Sequence, residues 1–218
     1  MRTWAFVSQK GGAGKTTVCV HISAYALACG EKVAIIDLDP QHNAHDWFEL
    51  RESAVPDVIA ALPERLSKIK NAAEEMGVTL LLVDTPPHTT GAALSAIKAA
   101  DLIITPTQPN IFDILALKDT VALLKQADRL ADAVCVVNGV SHQSADESFS
   151  EAEVAAQGMG LVVSPVYLKH LKAYATSLAK GLGVTEFEPK GKPAEQMRRL
   201  WAFLNEKNPV TSRTVESV

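Results

Sequence analysis

Short apolar runs alternate along the chain with longer stretches of helical spacing. Six such runs are rich in β-branched and other apolar residues: Thr3–Ser8, Lys32–Asp37, Thr79–Asp84, Leu102–Thr105, Ala133–Asn138 and Leu161–Val166. Several of them, such as VAIID and TLLLVD, are almost continuously apolar and do not alternate with polar residues. Continuous apolar runs indicate strands that are buried on both faces, as in parallel sheets covered by helices.

Seven stretches with helical spacing lie between and after these runs. They are Lys15–Cys29, Pro63–Met76, Thr89–Ala99, Phe112–Asp128, Ser150–Gln157, His170–Lys180 and Pro193–Glu206. The alternation predicts an α/β fold, a doubly wound and mostly parallel sheet flanked by helices, with its ligand at the carboxyl ends of the strands. We expect residues 1–208 to form a single domain and the polar residues 209–218 to form a flexible tail.

The overall composition is that of an ordinary globular protein. Of the 218 residues, 47% are hydrophobic and 21% are charged, which excludes disordered, collagen-like and coiled-coil chains. No apolar run approaches the roughly 20 residues of a membrane span, and the N-terminus lacks the pattern of a secretory signal. Cys19, Cys29 and Cys135 have no CxxC spacing, so we expect buried free thiols and a cytoplasmic protein.

A glycine-rich segment, KGGAGKTT, follows the first predicted strand. The Walker A pattern GxxxxGK[ST] requires a further glycine, and Gln9 occupies that position here. Gly11, Gly12 and Gly14 nevertheless allow the backbone to turn its N–H groups inward around phosphate oxygens. A helix that begins near Gly14 would direct its positive end at the same anion.

The residues that follow the glycines match the chemistry of a nucleotide triphosphate and its metal ion. Lys15 would place a positive charge on the β- and γ-phosphates, and the Thr16 hydroxyl would bind Mg²⁺. Thr17 is placed to bond a further phosphate oxygen. A glycine-rich turn without a ligand would not require lysine and threonine at these positions, so the segment predicts a site for ATP and Mg²⁺.

An additional lysine, Lys10, precedes the glycines, and KGGxGKTT resembles the deviant Walker A box of the ParA/MinD family of ATPases. The resemblance extends over most of the chain through four further motifs, which are DLDPQ at 37–41, LVDTPP at 82–87, PTQP at 106–109 followed by Asp113, and VVN at 136–138. Each later motif is only moderately specific by itself. Their order and spacing after KGGAGKTT make the resemblance specific.

The resemblance implies roles for three aspartates. Asp84 closes a buried strand where Mg²⁺ would lie, and is expected to hold the ion through water. Asp39 would orient or activate the attacking water and, with Lys10 and Lys15, would form the catalytic set. Asp37 would either support the residues that contact the nucleotide, without contacting it itself, or brace the loop that carries Asp39.

The resemblance also implies an ATP-dependent sandwich dimer. In this family the residue corresponding to Lys10 reaches across the dimer interface to the partner's nucleotide, where it neutralises charge developing during phosphoryl transfer. Asn138 matches the position at which the family places an adenine-contacting asparagine. The alternative for Asn138 is a turn formed with Gly139.

Positive charge is concentrated in the last quarter of the chain. The net charge of −4 argues against a nucleic-acid binder, but residues 166–218 carry nine basic and five acidic groups, and the remainder has a net charge of −8. In the family, a basic C-terminal surface of the ATP-bound dimer binds DNA without sequence preference. The residues expected to do so are Lys169, Lys172, Lys180, Lys190, Lys192, Arg198 and Arg199. A solvated surface without a partner is the alternative.

These features together indicate a small ParA-type ATPase for segregating plasmids or chromosomes or for positioning other cargo. ATP binding would close a homodimer that coats nucleoid DNA, and a ParB-like partner would stimulate the otherwise slow hydrolysis and release it. Two alternatives remain open, a MinD-like membrane-associated regulator and a small-molecule ligase of the same fold. An apolar stripe, Met197, Leu200, Trp201 and Leu204, could enter a membrane, but we expect core packing and no membrane contact.

Overall fold

The computed structural model describes residues 1–141 and 145–209, and within these ranges seven strands form one parallel sheet. The strands are β1 (Arg2–Phe6), β2 (Val33–Asp37), β3 (Asp57–Ala60), β4 (Leu80–Asp84), β5 (Leu102–Thr107), β6 (Ala133–Val137) and β7 (Val162–Val163). Their order in the sheet is β3-β2-β4-β1-β5-β6-β7. The predicted doubly wound parallel sheet is confirmed, and each of the six pairings between neighbouring strands is parallel.

Nine α-helices lie between and after these strands in the part of the chain that the structure describes. They are α1 (Lys15–Ala28), α2 (Asn43–Glu49), α3 (Leu66–Glu75), α4 (Thr90–Ala99), α5 (Ile111–Gln126), α6 (Ala145–Gly158), α7 (Lys172–Leu178), α8 (Val184–Phe187) and α9 (Lys192–Lys207). Each of the seven predicted helical stretches overlaps one of these helices, and the largest difference is at α6, which begins five residues before the predicted Ser150. The short helices α2 and α8 were not predicted.

The edge strand β3 was also missed, and its environment explains why. It pairs with β2 on one side, and only Val58 of its four residues is buried. A strand at the edge of a sheet therefore does not produce the continuous apolar run that marked the central strands. The predicted tail falls, from residue 210 onward, outside the described residues.

Two apolar cores cover the faces of the sheet. Trp4 and Phe6 of β1 face the core formed with α1, α2 and α7–α9, whereas Ala5 and Val7 face the core formed with α3–α6. The alternation of side chains along a strand places neighbouring residues in opposite cores. Each face of β1 is therefore buried, as the continuous apolar runs predict.

The apolar stripe of α9 belongs to the first of these cores. Met197, Leu200 and Leu204 are fully buried, and the Trp201 ring lies 5.3 Å from the ring of Trp4. Core packing of this stripe is confirmed. No described helix is both long enough and apolar enough to cross a membrane.

The thiols depart in one respect from the sequence-based expectation. Cys19 and Cys135 are buried free thiols, as expected, whereas Cys29 is exposed at the end of α1. Cys29 is the C-cap residue of α1, and its neighbours Ala28 and Gly30 are exposed as well, so this end of the helix lies at the surface.

The topology brings the predicted functional segments to one edge of the sheet. The chain leaves β1 through α1 toward β2 and later crosses through α4 from β4 to β5, so that β1 lies between β4 and β5. Ligands of such sheets bind in the crevice at the carboxyl ends of the strands, where the strand order reverses. The glycine-rich segment follows β1 at this crevice.

Candidate functional site

The loop between β1 and α1 has the backbone geometry that its glycines permit. Gly12 and Gly14 have φ angles of 80° and 100°, in the left-handed region that favours glycine. Gly14 is also the N-cap of α1, and a Cβ atom at this position would lie 2.1 Å from Nδ2 of Asn138. Glycine is therefore required at position 14 by both conformation and space, and the amino end of α1 opens beside it.

A cleft of about 780 Å³ lies against this loop. It brings together seven of the residues predicted from the sequence, which are Gly11, Gly12, Gly14, Lys15, Thr16, Thr17 and Asp39. Lys10, Asp84 and Asn138 are not among the residues that line it. The opposite walls come from α2, from the segment after β4 and from the end of α7, and contribute Trp47, Leu50, Pro86, Pro87, Leu178 and Ala179.

Asp84 is a fully buried carboxylate beneath the first turn of α1. Its Oδ2 atom accepts a hydrogen bond of 2.6 Å from the hydroxyl of Thr16, whereas its Oδ1 atom has no hydrogen-bond partner in the described part of the chain. Burial raises the pKa of Asp84 to about 7, although the Thr16 hydrogen bond and the positive charge of Lys15 act in the opposite direction. The ligand-free site therefore holds an unsatisfied acceptor at considerable cost in free energy.

Lys15 is buried as well and lies near two carboxylates. Burial lowers the pKa of its ammonium group, and the charges of Asp84 and Asp39 partly offset that effect. Its Nζ atom donates to the backbone carbonyl of Lys10 at 3.4 Å. A buried cation beside a glycine loop provides a strong charge for an anion in the cleft.

The residues around Asp84 fit a magnesium ion. Mg²⁺ takes oxygen ligands, and it is commonly bound through one or two carboxylates together with substrate phosphates. The unpartnered Oδ1 of Asp84 and the neighbouring Thr16 hydroxyl are two such oxygen groups at the entrance to the phosphate loop. The protein thus contains suitable donors for the ion that the sequence motif implies.

Asp37 braces the loop that carries Asp39. It is fully buried, and its two oxygens accept hydrogen bonds from the backbone N–H groups of Asp39 at 3.0 Å, Ala44 at 3.0 Å and His45 at 3.3 Å. Burial raises the pKa of Asp37, and these three hydrogen bonds counteract the increase. Of the two roles left open for this residue, its contacts show the bracing one.

The braced loop positions Asp39 at the cleft. Oδ1 of Asp39 accepts a hydrogen bond of 2.9 Å from the backbone N–H of Gln41, and the residue is 7% exposed. The remaining oxygen, Oδ2, is a hydrogen-bond acceptor on a side chain that lines the cleft. This arrangement suits a group that orients a water molecule.

Lys10 begins the phosphate loop, and two amide side chains contact the loop from other strands. Lys10 is half-buried, and its backbone N–H donates to the Ser8 hydroxyl at 3.3 Å. Asn138 donates through Nδ2 to the carbonyl of Ala13 at 3.1 Å, and Gln108 donates through Nε2 to the carbonyl of Gly12 at 2.8 Å. No role was predicted for Gln108, although its place directly after β5 is a usable signal.

Arg51 organises the far wall of the cleft and was also missed. Its guanidinium lies 5.0 Å from the Trp47 ring and donates hydrogen bonds of 2.8 Å to the carbonyl of Gly181 and to Glu186. These contacts join the end of α2 to the turn between α7 and α8. The partners are separated by about 130 residues in the sequence, so no local pattern could reveal them.

The predicted DNA-binding residues lie on or beside α7 and α9, in the helical layer on one face of the sheet. Lys172, Lys180, Lys190, Lys192 and Arg199 are exposed, whereas Lys169 and Arg198 are half-buried. Arg198 donates to the carbonyl of Pro189 at 2.9 Å. Nζ of Lys180 lies 4.9 Å from the ring of Phe187. Five of the seven basic groups are thus exposed, and one of these five, Lys180, also contacts an aromatic ring.

Comparison with known protein families decides the family. Residues 4–201 match the family model described as the CobQ/CobB/MinD/ParA nucleotide binding domain. This chain belongs to that family. The match covers each motif on which the resemblance to ParA/MinD ATPases rests, from KGGAGKTT to VVN.

Individual relatives support the same membership. The chain is 31% identical to a maintenance of carboxysome distribution protein A from Gloeobacter kilaueensis, over 92% of this chain and 95% of that one. It is 24% identical to the chromosome partitioning protein ParA of Caulobacter vibrioides, over 88% and 86% of the two chains. Among solved structures, MinD in the MinC:MinD complex of Aquifex aeolicus shares the fold with a TM-score of 0.78 and 17% identity, over 94% and 96% of the chains.

Proposed function

We propose that this protein is a ParA-type ATPase, which hydrolyses ATP to ADP and phosphate with Mg²⁺ and positions cargo in the cell. The observation that carries the proposal is the buried pair Lys15 and Asp84 beside a glycine loop, in which one oxygen of Asp84 is bonded to Thr16 and the other has no partner among the described residues. Burying charge in this way is costly, and a ligand that pairs with these groups offsets the cost. The whole activity is assigned to a single domain, residues 1–208.

The phosphate loop binds and orients the nucleotide in this proposal. The backbone N–H groups around Gly11, Gly12 and Gly14 surround the phosphates, Lys15 contacts the β- and γ-phosphates, and Thr17 bonds a further phosphate oxygen. Thr16 and, through water, Asp84 would hold Mg²⁺, which would supply positive charge against the negative charge of phosphoryl transfer. Asn138, which follows β6, completes the binding set.

Asp39 is the residue that acts on the attacking water. Its carboxylate lines the cleft, and the hydrogen bonds to Asp37 hold its backbone in place, so a water bonded to it is oriented before attack. Lys10 completes the catalytic set from the other protomer of an ATP-bound homodimer. Hydrolysis by the protein alone is slow because the reaction requires Asp39, Mg²⁺, Lys10 and a closed dimer together.

Binding to DNA links this cycle to cargo. The ATP-bound dimer doubles the basic surface of the C-terminal helices and binds DNA without sequence preference in the cytoplasm, at the nucleoid. A ParB-like partner on the cargo stimulates hydrolysis and releases the dimer. Relatives named for carboxysome distribution and for chromosome partitioning support cargo positioning as the general task.

Three substitutions test the proposed chemistry. Asp39→Ala is expected to bind ATP and accumulate as an ATP-bound dimer while turnover falls at least tenfold, since general-base and positioning groups contribute about that much or more. Lys15→Ala is expected to lose ATP binding, and Lys10→Ala to bind ATP without completing the cycle. Turnover of ATP with Mg²⁺ and dimer mass by light scattering are the measurements.

Asp119→Ala, on the exposed side of α5, is the matched control and is expected to retain wild-type turnover. Hydrolysis by Asp39→Ala at the wild-type rate would show that another group acts on the water. For the cellular role, DNA binding is measured without nucleotide, with ADP and with ATP plus Mg²⁺. Binding only with ATP supports the partition cycle, whereas no binding in any state rejects the DNA step and leaves the ATPase assignment intact.

A further inference from the structure

Two amide side chains contact the phosphate loop from outside the cleft. Gln108 follows β5 and donates through Nε2 to the carbonyl of Gly12 at 2.8 Å, and Asn138 follows β6 and donates through Nδ2 to the carbonyl of Ala13 at 3.1 Å. A carbonyl oxygen only accepts hydrogen bonds, so the donor end of each amide must face the loop. Two successive peptide groups are therefore held by two different strands.

Holding a carbonyl also fixes the next N–H group. In a trans peptide the C=O of one residue and the N–H of the following residue point in opposite directions within one plane. Gly12 and Gly14 line the cleft, whereas Gln108 and Asn138 do not, so the two carbonyls are directed away from the cleft. The N–H groups of Ala13 and Gly14 are thereby turned toward it.

Both amide side chains are half-buried, and Asn138 approaches the loop especially closely. A Cβ atom on Gly14 would lie 2.1 Å from Nδ2 of Asn138, which shows how closely this side chain approaches the loop. A Cβ atom on Gly139 would lie 3.6 Å from the side chain of Gln108, at ordinary contact distance. A third contact, from the backbone N–H of Gln9 to the Thr120 hydroxyl at 3.1 Å, holds the beginning of the loop against α5.

We propose that Gln108 and Asn138 are positioning residues that hold the phosphate loop with the N–H groups of Ala13 and Gly14 facing the phosphates. The inference rests on the proposed nucleotide-binding function and extends it to residues that act through the loop. Hydrogen-bond donors that are already held in position bind an anion more tightly, because the loop loses no conformational entropy when the ligand binds. For Asn138 this role differs from the adenine contact that the family resemblance implies.

Neutral substitutions separate the two roles. Gln108→Met and Asn138→Leu approximately keep side-chain size, remove the donor and add no negative charge beside the phosphate site. Dissociation constants are measured for ADP and for inorganic pyrophosphate by competition with a fluorescent ATP analogue, and thermal unfolding checks the fold. Gln126→Met and Asn71→Leu, at exposed positions on α5 and α3, are the matched controls.

We expect each test variant to lower the affinities for ADP and for pyrophosphate by the same factor, about five- to tenfold. This is the effect of losing one hydrogen bond and leaving its acceptor without a partner. Pyrophosphate has no base, so replacing a residue that contacts adenine would lower the affinity for ADP alone. Unchanged pyrophosphate affinity in either variant would overturn the inference for that residue. Wild-type protein that binds neither ligand would instead reject the proposed function itself.

The ratio of ATP affinity to GTP affinity provides a second readout. A positioning role lowers both affinities and leaves the ratio unchanged, whereas a base contact changes the ratio. If Asn138→Leu does not fold, Asn138→Ala removes the same donor without filling the space beside Gly14. An altered ratio in a folded Asn138 variant would assign the residue to the base and refute the positioning role.

Discussion

The phosphate-loop region buries its charged side chains, whereas the C-terminal helices expose theirs. At the phosphate loop Lys15, Asp37 and Asp84 are buried, and one oxygen of Asp84 has no partner within residues 1–141 and 145–209. On α9 the apolar residues point inward and the basic residue Arg199 is exposed. Buried charge is stable only when something compensates it, whereas an exposed lysine or arginine costs almost nothing. The cost of burying charge at the phosphate loop therefore indicates that a ligand binds there. At the C-terminal helices, only the sign of the exposed charge points to a partner.

The two regions also differ in what holds them together. Hydrogen bonds from side chains on neighbouring strands fix the phosphate loop, whereas apolar burial fixes α9 against α1 and β1. The regions meet at α1, whose first turn carries Lys15 and whose middle carries His21 beneath the start of α8. Substitutions in each region should thus affect different quantities, ligand affinity in one and folding stability in the other.

The largest effect is expected from the core side of α9. Leu200→Ala should lower the free energy of unfolding by about 2–5 kcal/mol, because it removes a fully buried side chain and leaves a cavity. The neighbouring Arg199→Ala should change it by less than about 0.5 kcal/mol. Urea denaturation of the two variants measures the difference. Equal losses of stability would mean that the inward and outward faces of this helix are not distinct.

Two chemically identical substitutions at the nucleotide site should have opposite effects on stability. Asp84→Asn removes a buried charge with an unpartnered oxygen and should raise the free energy of unfolding of the ligand-free protein by about 1–2 kcal/mol. Asp37→Asn should lower it by about 2–3 kcal/mol, because an amide NH₂ group would face backbone donors that the carboxylate now satisfies. Denaturation in urea at pH 8 without Mg²⁺ compares them.

A binding measurement completes this comparison. Asp84→Asn should also lose the dependence of nucleotide affinity on Mg²⁺, since it removes the proposed ligand charge. Destabilisation by both substitutions would argue that Asp84, like Asp37, serves the fold, and would remove the main support for a ligand-dependent site. If Asp84→Asn gains stability and loses the dependence on Mg²⁺, Asp84 serves ligand binding and not folding.

The sequence predicts regular features of the fold well and contacts between distant segments poorly. Buried strands such as β4 and the stripe on α9 follow from periodicity, because burial of one or both faces imposes a repeating pattern. The edge strand β3 lacks that pattern because solvent covers much of it. The contact of Arg51 with Glu186 depends on how α2 meets the turn before α8, which no local spacing encodes.

The same distinction applies within the site. Lys15 and Thr16 lie in one continuous motif, so the sequence alone places them beside a phosphate. The position of Asp39 at the cleft agrees with its predicted role, and that role stays a prediction. Gln108 and Asn138 reach the loop from other strands, and their contacts with it become visible only when the order of the strands is known.

The pH dependence of stability should report on the junction between the two regions. His21 accepts a hydrogen bond from the backbone N–H of Val184, and burial lowers the pKa of its imidazole to about 3. The folded protein holds His21 neutral, whereas the unfolded chain binds a proton near the ordinary pKa of about 6.5. Its contribution to stability is complete above pH 6.5 and is lost as the pH falls toward 3.

His21→Gln isolates this contribution, because glutamine can still accept a hydrogen bond but does not titrate. The difference in the free energy of unfolding between wild type and variant should be constant above pH 7. At pH 5 the wild type should have lost about 2 kcal/mol of stability relative to the variant. Chemical denaturation between pH 5 and pH 8 measures it. A difference that is independent of pH would show that His21 becomes protonated in the folded protein at little cost.

The smallest effects are expected from single residues of the basic surface. Lys172→Ala, Lys190→Ala and Lys192→Ala remove exposed charges, and each should reduce the slope of the logarithm of DNA affinity against the logarithm of salt concentration by about 1 if it contacts a phosphate. Affinity of the ATP-bound protein should fall by a similar factor for unrelated DNA sequences, because phosphate contacts carry no base information.

The position of each charge makes this test specific. Lys68→Ala, on α3 at the opposite face of the sheet, removes the same charge and should leave the slope unchanged. Arg198 donates to Pro189, so its replacement should reduce the slope less than replacement of the freely exposed Arg199. Equal reductions for Lys68 and Lys172 would show that DNA responds to net charge alone, and the basic C-terminal surface would then be an ordinary solvated face.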